Sequence, residues 1–135
     1  MVRKILYLAS LVGVGILGLQ LAAWCSEIDT GRDLYLRYCS SCHGKDGKGD
    51  GFVSPFLKIE LPDLALLKKN NKGVFPFSDV MASIDGSRVV RGHGDPAMPV
   101  WGEVFRKELE TQKYHELTSL LKVKIIAEYI STLQR

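Results

Sequence analysis

The sequence has little net charge of either sign. Among its 135 residues, 18 Lys and Arg stand against 15 Asp and Glu, which gives a formal charge of +3. Without the first 23 residues, which contain Arg3 and Lys4, the balance is 16 basic to 15 acidic residues. Phosphate binding needs clustered Lys and Arg, so this weak and scattered excess argues against nucleic acid as a partner.

Alternating apolar and polar residues are also missing, as are internal repeats and low-complexity tracts. The pattern therefore gives no support for strands, whereas several segments have helical spacing or helix-capping residues. With 46% hydrophobic and 24% charged residues, the expectation is one small globular domain of the all-α class. Helices are predicted at 30–38, 62–69, 78–85, 101–109 and 117–133.

Apolar residues on the predicted helix faces define an expected core. The last helix supplies the clearest pattern, because its apolar residues recur at intervals of three and four from Leu117 through Leu120 and Val123 to Leu133. The full predicted core consists of Tyr35, Leu36, Leu57, Leu64, Leu67, Phe77, Val80, Ile84, Trp101, Phe105, Ile126, Tyr129 and Ile130.

The N terminus is typical of an export segment. Arg3 and Lys4 precede an apolar run, and the stretch that ends at Ala22 and Ala23 has the small residues of a cleavage site. Residues 5–24 are also about as long as one membrane-spanning helix, so cleavage and retention as an anchor both remain open. Cys25 adds a lipoprotein signal as a third, less favoured alternative, because the bulky Trp24 precedes it. The expected division is an export or anchor segment at 1–25 and a domain at 26–135.

Cysteine is scarce, yet two of the three cysteines form Cys39-Ser40-Ser41-Cys42-His43. C-x-x-C-H is the signature of covalent haem attachment. Two thiols nearly one helical turn apart can each add to a vinyl group of one porphyrin, and the next histidine can bind the iron. A zinc site would need further closely spaced ligands, and a thioredoxin-type motif would need a βαβ context. We therefore expect one haem c on Cys39 and Cys42, with His43 as iron ligand, in preference to zinc, a redox disulfide or a structural disulfide.

A glycine-rich loop follows the motif, with four glycines between Gly44 and Gly51. Glycine lets backbones approach closely, so this loop is expected to pass around the haem edge. Lysines in and after it could steer docking to an acidic partner, although a plain solvated surface is the favoured alternative. These lysines are Lys45, Lys48, Lys58, Lys68, Lys69 and Lys72.

From about Asp29 to the C terminus, the sequence resembles class I c-type cytochromes. In that family a glycine lies eight residues before the first haem cysteine, with an aromatic residue four positions after the glycine. Gly31 and Tyr35 have this spacing. The family's last helix crosses the first with an aliphatic and an aromatic residue three apart, as in Ile126 and Tyr129. The resemblance implies a cytochrome c fold, in which small helices surround one covalently attached haem.

The same resemblance implies further site residues. Pro55 stands twelve residues after His43, where the family often has a proline whose carbonyl accepts a hydrogen bond from the haem-ligating imidazole. Residues 91–102 resemble the family's distal loop, whose methionine is the second axial ligand. Met98 has that position, and Trp101 in the same segment is expected to contact the haem.

From the residues alone, four within the domain could face His43 across the iron: Met81, His93, Met98 and His115. Met81 has the spacing of a helix core residue, and His115 lies in a polar stretch. Prolines on both sides of Met98 restrain its backbone, which favours it over His93. An open or water-bound position is the remaining alternative.

Histidine and methionine together would fill both axial positions. Because the soft thioether favours Fe(II), the pair raises the reduction potential, and the expected function is electron transfer without catalysis. The expected partners are a donor dehydrogenase or reductase and an acceptor oxidase, met in the periplasm or at the outer face of the cytoplasmic membrane. An electron-entry subunit of a membrane oxidase or dehydrogenase is the nearest alternative. A gas sensor or peroxidase, and an interaction module without haem, are more distant ones.

Overall fold

The computed structural model describes residues 30–88 and 99–135. The predicted export segment, Cys25, His93 and Met98 lie outside these ranges. The described residues form helices and no strand, which confirms the all-α class. None of these helices is long and apolar enough to cross a bilayer. The α-helices are α1 (30–38), α2 (Ser40–His43), α3 (Leu67–Asn70), α4 (Phe77–Asp85), α5 (Trp101–Glu108) and α6 (His115–Thr132), with 3₁₀ turns at Ser54–Phe56 and Leu64–Leu66.

Most helix boundaries lie close to the predicted ones. Gly86 ends α4 with a left-handed φ of 86°, as its position after the apolar pattern predicts. The segment predicted as one helix at 62–69 is instead a 3₁₀ turn followed by α3. Its start is capped by the Asp63 carboxylate, which accepts a hydrogen bond from the Ala65 N–H (2.9 Å). Leu66 then leaves helical geometry with a ψ of 5°, and this separates the two elements.

The first and last helices cross at Gly31. A Cβ added there would lie 2.7 Å from the Ile125 carbonyl oxygen and 3.0 Å from the Tyr129 Cβ, so only glycine allows this approach. Four residues along α1, the Tyr35 ring lies 5.3 Å from the Tyr129 ring, centroid to centroid. This is the crossing that the cytochrome resemblance implies, and it joins the start of the domain to its end.

The core lies where α4, α5 and α6 pack together around Tyr35 of α1. Its buried members are Tyr35, Val80, Ile84, Phe105, Val123, Ile126, Ala127, Tyr129 and Ile130. Five other predicted members, Leu36, Leu64, Leu67, Phe77 and Trp101, are only partly buried and pack against it. Leu57 is not part of this cluster, because it follows the 3₁₀ turn in extended conformation (ψ 144°).

The first two turns of the last helix leave the leucines of its apolar pattern exposed. Leu117 and Leu120 are 66% and 51% exposed. The face turned to α5 is instead set by Ser119, which is buried and donates a hydrogen bond to the Gly102 carbonyl (3.3 Å), and by Val123. Spacing by three and four identifies an apolar stripe but not whether a neighbouring element covers each turn.

Candidate haem site

The C-x-x-C-H motif forms one turn of helix at the end of α1. The Cys39 N–H donates to the Tyr35 carbonyl (2.8 Å), which continues α1 into the motif. The Cys39 carbonyl accepts hydrogen bonds from the N–H groups of Cys42 (3.2 Å) and His43 (2.9 Å). Cys39 and Cys42 are both free thiols. The local helix therefore holds the two cysteines and the histidine within a single turn.

The glycine-rich loop folds back onto this turn. The Gly49 N–H donates to the His43 carbonyl (2.9 Å), and the Gly51 N–H donates to the Cys42 carbonyl (3.0 Å). A Cβ on Gly51 would lie 2.3 Å from the Ser41 carbonyl oxygen, so the two backbones touch. The glycines thus bring the loop against the motif's own backbone and fix the orientation of the turn.

The Tyr35 side chain links the same loop to α1 by a hydrogen bond. Its hydroxyl donates to the Gly44 carbonyl (2.7 Å), and its side chain is fully buried. Burial raises the pKa of Tyr35 above its ordinary value, with a smaller contribution from the nearby Cys39. The hydroxyl therefore stays protonated and remains a hydrogen-bond donor.

A cavity opens beside the motif. Its unfilled volume is about 980 Å³, open solvent at the mouth included. Cys39 and His43 line it from one side, while Cys42 lies in the same turn without lining it. Residues of α4, α5 and α6 form half of the remaining wall, and α4 contributes the largest share. The other lining residues are Tyr38, Pro62, Leu64, Leu67, Pro76, Asp79, Val80, Ser83, Ile84, Arg88, Trp101 and Ile130.

Trp101, which the sequence predicts as a haem contact, lies in the cavity wall. It belongs to an aromatic cluster with Tyr38 and Phe105. The Tyr38 ring is 5.3 Å from the Trp101 ring and 5.0 Å from the Phe105 ring, both in edge-to-face geometry. The cluster joins α1 to α5 and gives the cavity a rigid, apolar side.

Several lining residues were not predicted. Tyr38 directly precedes Cys39, and that position alone could have pointed to it. Asp79 and Ser83 lie four residues apart on α4, as Val80 and Ile84 do, so all four share one side of the helix. At the end of that side, Arg88 pairs with Asp79 (3.0 Å). The sequence carried no signal for this polar rim.

The surroundings of Cys39 give no support to a redox disulfide or to a zinc site at the motif. Burial raises the pKa of the Cys39 thiol to about 12, with a further increase from Cys42. Thiol-disulfide exchange uses the thiolate, which a pKa this high makes scarce at neutral pH. In the described part of the chain, no three His, Cys, Asp or Glu side chains are grouped as a metal site.

The residues present fit a haem. A thiol and an imidazole from one helical turn line an apolar cavity in the size range of cofactor sites. The alternatives that sequence analysis set aside for the second ligand also find no place in the wall: Met81 packs against the core, and His115 lies beside Glu116. Pro55 is exposed in the 3₁₀ turn Ser54–Phe56 and does not line the cavity, so the role of its carbonyl stays a prediction.

Both ends of the segment that contains Met98 lie at this cavity. Arg88 lines it before the segment, and Trp101, three residues after Met98, lines it on the other side. A Cβ on Gly86 would lie 2.2 Å from the Val100 Cγ1, so the chain returns almost to the point where it left α4. Residues 89–98 themselves lie outside the described ranges.

Comparison with known proteins agrees with this site. Residues 26–111 match the model of the family described as cytochrome C oxidase, cbb3-type, subunit III. The match covers more than half of the chain and includes α1 to α5. No match was found among curated proteins or among solved structures. The chain therefore belongs to this family, whose c-type cytochrome domains transfer electrons through haem.

Proposed function

We propose that the chain is an exported monohaem cytochrome c that carries one electron between redox proteins and catalyses no reaction of its own. The observation that carries the proposal is the shared cavity: Cys39 and His43 of the motif line the same apolar space as Trp101. When bound, haem supplies the one-electron Fe(III)/Fe(II) couple. The chain's own residues hold it, orient it and keep water from one of its faces.

Attachment is assigned to Cys39 and Cys42. Their turn of helix is held by α1 on one side and by the glycine loop on the other, so the backbone of the two cysteines has a fixed geometry. The sequence has one C-x-x-C-H motif, which supports a single haem. His43 follows Cys42 directly and would bind the iron, and the Pro55 carbonyl would accept a hydrogen bond from the second nitrogen of its ring.

The second axial ligand is assigned to Met98. Trp101 lies in the cavity wall three residues later, and three extended residues span about 10 Å. Pro99 follows Met98 directly and restricts the backbone at that point. A haem held by both His43 and Met98 would leave small ligands no open site on its iron. This supports a carrier and opposes the gas-sensor alternative.

Residues 1–25 are assigned to export, and we propose that 5–24 stay in the membrane as an anchor. The stretch has about the length of one spanning helix, and it carries no charged residue. The domain would then face the periplasm at the outer surface of the cytoplasmic membrane. N-terminal sequencing tests the assignment, because cleavage before Trp24 would remove the anchor.

A second candidate role is an electron-entry subunit of a membrane oxidase. It is favoured by the matched family, whose description names a cbb3-type cytochrome c oxidase. In this role the same haem would pass electrons within an assembly instead of between diffusing partners. Co-purification of the chain with haem-copper oxidase subunits from detergent-solubilised membranes would support it, and isolation as a single chain would support the carrier.

Partners would meet the domain beside the motif. Phe52 and Phe56 are 77% and 83% exposed, and they directly follow the glycine loop that packs on Cys42. Lys45, Lys48 and Lys58 are exposed in the same stretch of chain. Asp46, Asp50 and Glu60 are exposed there too and balance these lysines, so the surface beside the motif is apolar with mixed charge, which suits brief encounters with a redox protein.

The test is haem-loaded full-length protein made with a competent c-type assembly system. We expect one haem to remain on the chain in a denaturing gel and in the intact mass. The oxidised protein should show the weak red absorption of a methionine-to-Fe(III) bond, and the reduced protein should not bind carbon monoxide readily. A chain without added haem, or immediate carbon monoxide binding, would overturn the proposal.

Three variants separate the ligands. Met98→Ala should abolish the red band, admit carbon monoxide and lower the potential, because the soft ligand that favours Fe(II) is lost. Met81→Ala and His93→Ala are the matched controls and should leave all three properties unchanged. If His93→Ala opens the iron while Met98→Ala does not, the iron has two histidine ligands and the assignment of Met98 is wrong.

A further inference from the structure

An apolar patch lies on the outer side of α6. We define the α6 patch as Leu117, Leu120 and Leu121 together with Tyr114, which directly precedes the helix. The four side chains are between 46% and 66% exposed. At about 100° per residue, Leu117 and Leu121 point away from the side of Ser119 and Val123, which is buried. Leu117 and Leu121 therefore face outward, whereas Leu120 lies at the edge of the buried side, where Ser119 and Val123 line one shallow cavity with it.

The patch is also separate from the haem cavity. Leu117 and Leu120 line a second, shallow cavity with Gly102 and Arg106 of α5. The two cavities share no lining residue. Electron transfer at the motif therefore leaves this surface unused, and large exposed apolar patches of this kind commonly mark contact surfaces.

The position of α1 puts the patch close to the membrane. Gly31 lies against Ile125, one helical turn after Leu121 and about 12 Å along the axis from Leu117. Only residues 25–29 separate the apolar segment 5–24 from Thr30. Five residues reach at most about 17 Å when fully extended. An anchor at 5–24 would thus keep the Ile125 region of α6, and with it the patch, within reach of the bilayer surface.

We propose that the α6 patch lies on the lipid surface and orients the domain, so that the haem motif faces away from its own anchor. The inference rests on the proposed anchor and adds a second contact to it. The contact is apolar, because the charges beside the patch offset each other: Arg106 and Lys113 stand against Glu110 and Glu116. Leucine and tyrosine side chains suit the boundary between headgroups and acyl chains.

The experiment uses the full haem-loaded chain in phosphatidylcholine vesicles, with Cys25→Ser to remove the third cysteine. A spin label is placed at Leu117→Cys, and at Val74→Cys as the control. Val74 has the same exposed fraction, 66%, and lies in the turn after α3. Relaxation by oxygen, which enters lipid, is compared with relaxation by a water-soluble nickel chelate.

We expect the label at position 117 to respond more to oxygen than to nickel, and the label at position 74 to show the reverse order. Because the contact is apolar, both positions should keep the same order of oxygen and nickel responses when anionic phosphatidylglycerol is added to the vesicles. Equal responses at the two positions would overturn the inference, as would a label at 117 that is shielded from both reagents, since that indicates a protein contact. Vesicle flotation tests the anchor separately. Protein that does not float with the vesicles overturns both the proposed anchor and this inference. Protein that floats but has a water-exposed label at position 117 overturns only this inference.

Discussion

The two sides of the haem cavity are built by different interactions. The motif side, residues 39–53, is held by backbone hydrogen bonds: the Gly51 N–H donates to the Cys42 carbonyl (3.0 Å), and the Val53 N–H donates to the Ser41 carbonyl (2.9 Å). The helix side, α4 and α5, is held by side chains such as Ile84 that pack against α6. Backbone contacts depend on exact conformation, whereas apolar packing depends mainly on volume.

This difference matches the chemistry assigned to each side. The motif side must present two sulfur atoms and an imidazole in one geometry, so a loop with no room for side chains is suited to it. The helix side has only to enclose an apolar face, and many combinations of side chains can do that. Among the described residues, Asp79 and Arg88 form the one ion pair that lines the cavity, and it lies on the helix side.

The largest expected effect is on the helix side. Phe105 is fully buried and packs edge-to-face on Tyr38, so Phe105→Ala should lower the free energy of unfolding by about 3–5 kcal/mol. Guanidinium unfolding of the haem-loaded protein measures the change. Phe56→Ala, at an 83% exposed ring, is the control and should shift stability by less than about 0.5 kcal/mol. Equal effects of the two variants would contradict the packing described for α5.

The next effect tests the motif side. A Cβ at Gly51 would lie 2.3 Å from one carbonyl oxygen and 2.6 Å from another, and both belong to backbone that cannot turn aside. Gly51→Ala should therefore cost about 3 kcal/mol and reduce the yield of haem-loaded protein. The comparison is Gly73→Ala, where φ is 85° but nothing lies within 4 Å, so only the left-handed conformation is strained, by about 1 kcal/mol. Similar costs at the two glycines would show that the loop does not clamp the motif.

The same difference explains what sequence could and could not predict. On the motif side, Cys39, Cys42 and His43 lie within five residues, and their spacing of nearly one helical turn agrees with the turn observed, while their attachment to haem stays a prediction. Gly86 likewise ended α4 where predicted, because a left-handed cap depends on one residue. Local signals sufficed wherever neighbours along the chain decided the structure.

Contacts between distant elements were beyond such signals. Their spacing puts Leu117 and Leu120 on one apolar stripe with Val123, yet both are exposed, because Ser119 makes the hydrogen bond to α5 while the leucines only line a shallow cavity beside it. Tyr38 and Arg88 line the cavity only because α1 and the end of α4 meet there. Periodicity reports which residues share a helix face, and only tertiary packing decides which face is covered.

The smallest expected effect on stability is at Tyr35, which links the two sides of the cavity. Its ring belongs to the core, and its hydroxyl binds the glycine loop. Tyr35→Phe keeps the ring on Tyr129 but removes the hydrogen bond to the Gly44 carbonyl, at a cost of about 1–2 kcal/mol. The haem content should stay unchanged, since the backbone clamp at Gly51 remains. Guanidinium unfolding at neutral pH measures the cost.

The cost should also depend on pH, and the direction follows from burial. Because burial raises the pKa of Tyr35 above 10.0, the unfolded chain ionises this hydroxyl at a lower pH than the folded one does. The contribution of Tyr35 to stability is thus complete below about pH 10 and declines as the pH rises toward the folded-state pKa. Phenylalanine has no such proton. The difference in the free energy of unfolding between the parent protein and Tyr35→Phe should therefore become smaller between neutral pH and about pH 11. A gap that stays constant would mean that the hydroxyl is solvated and does not hold the loop.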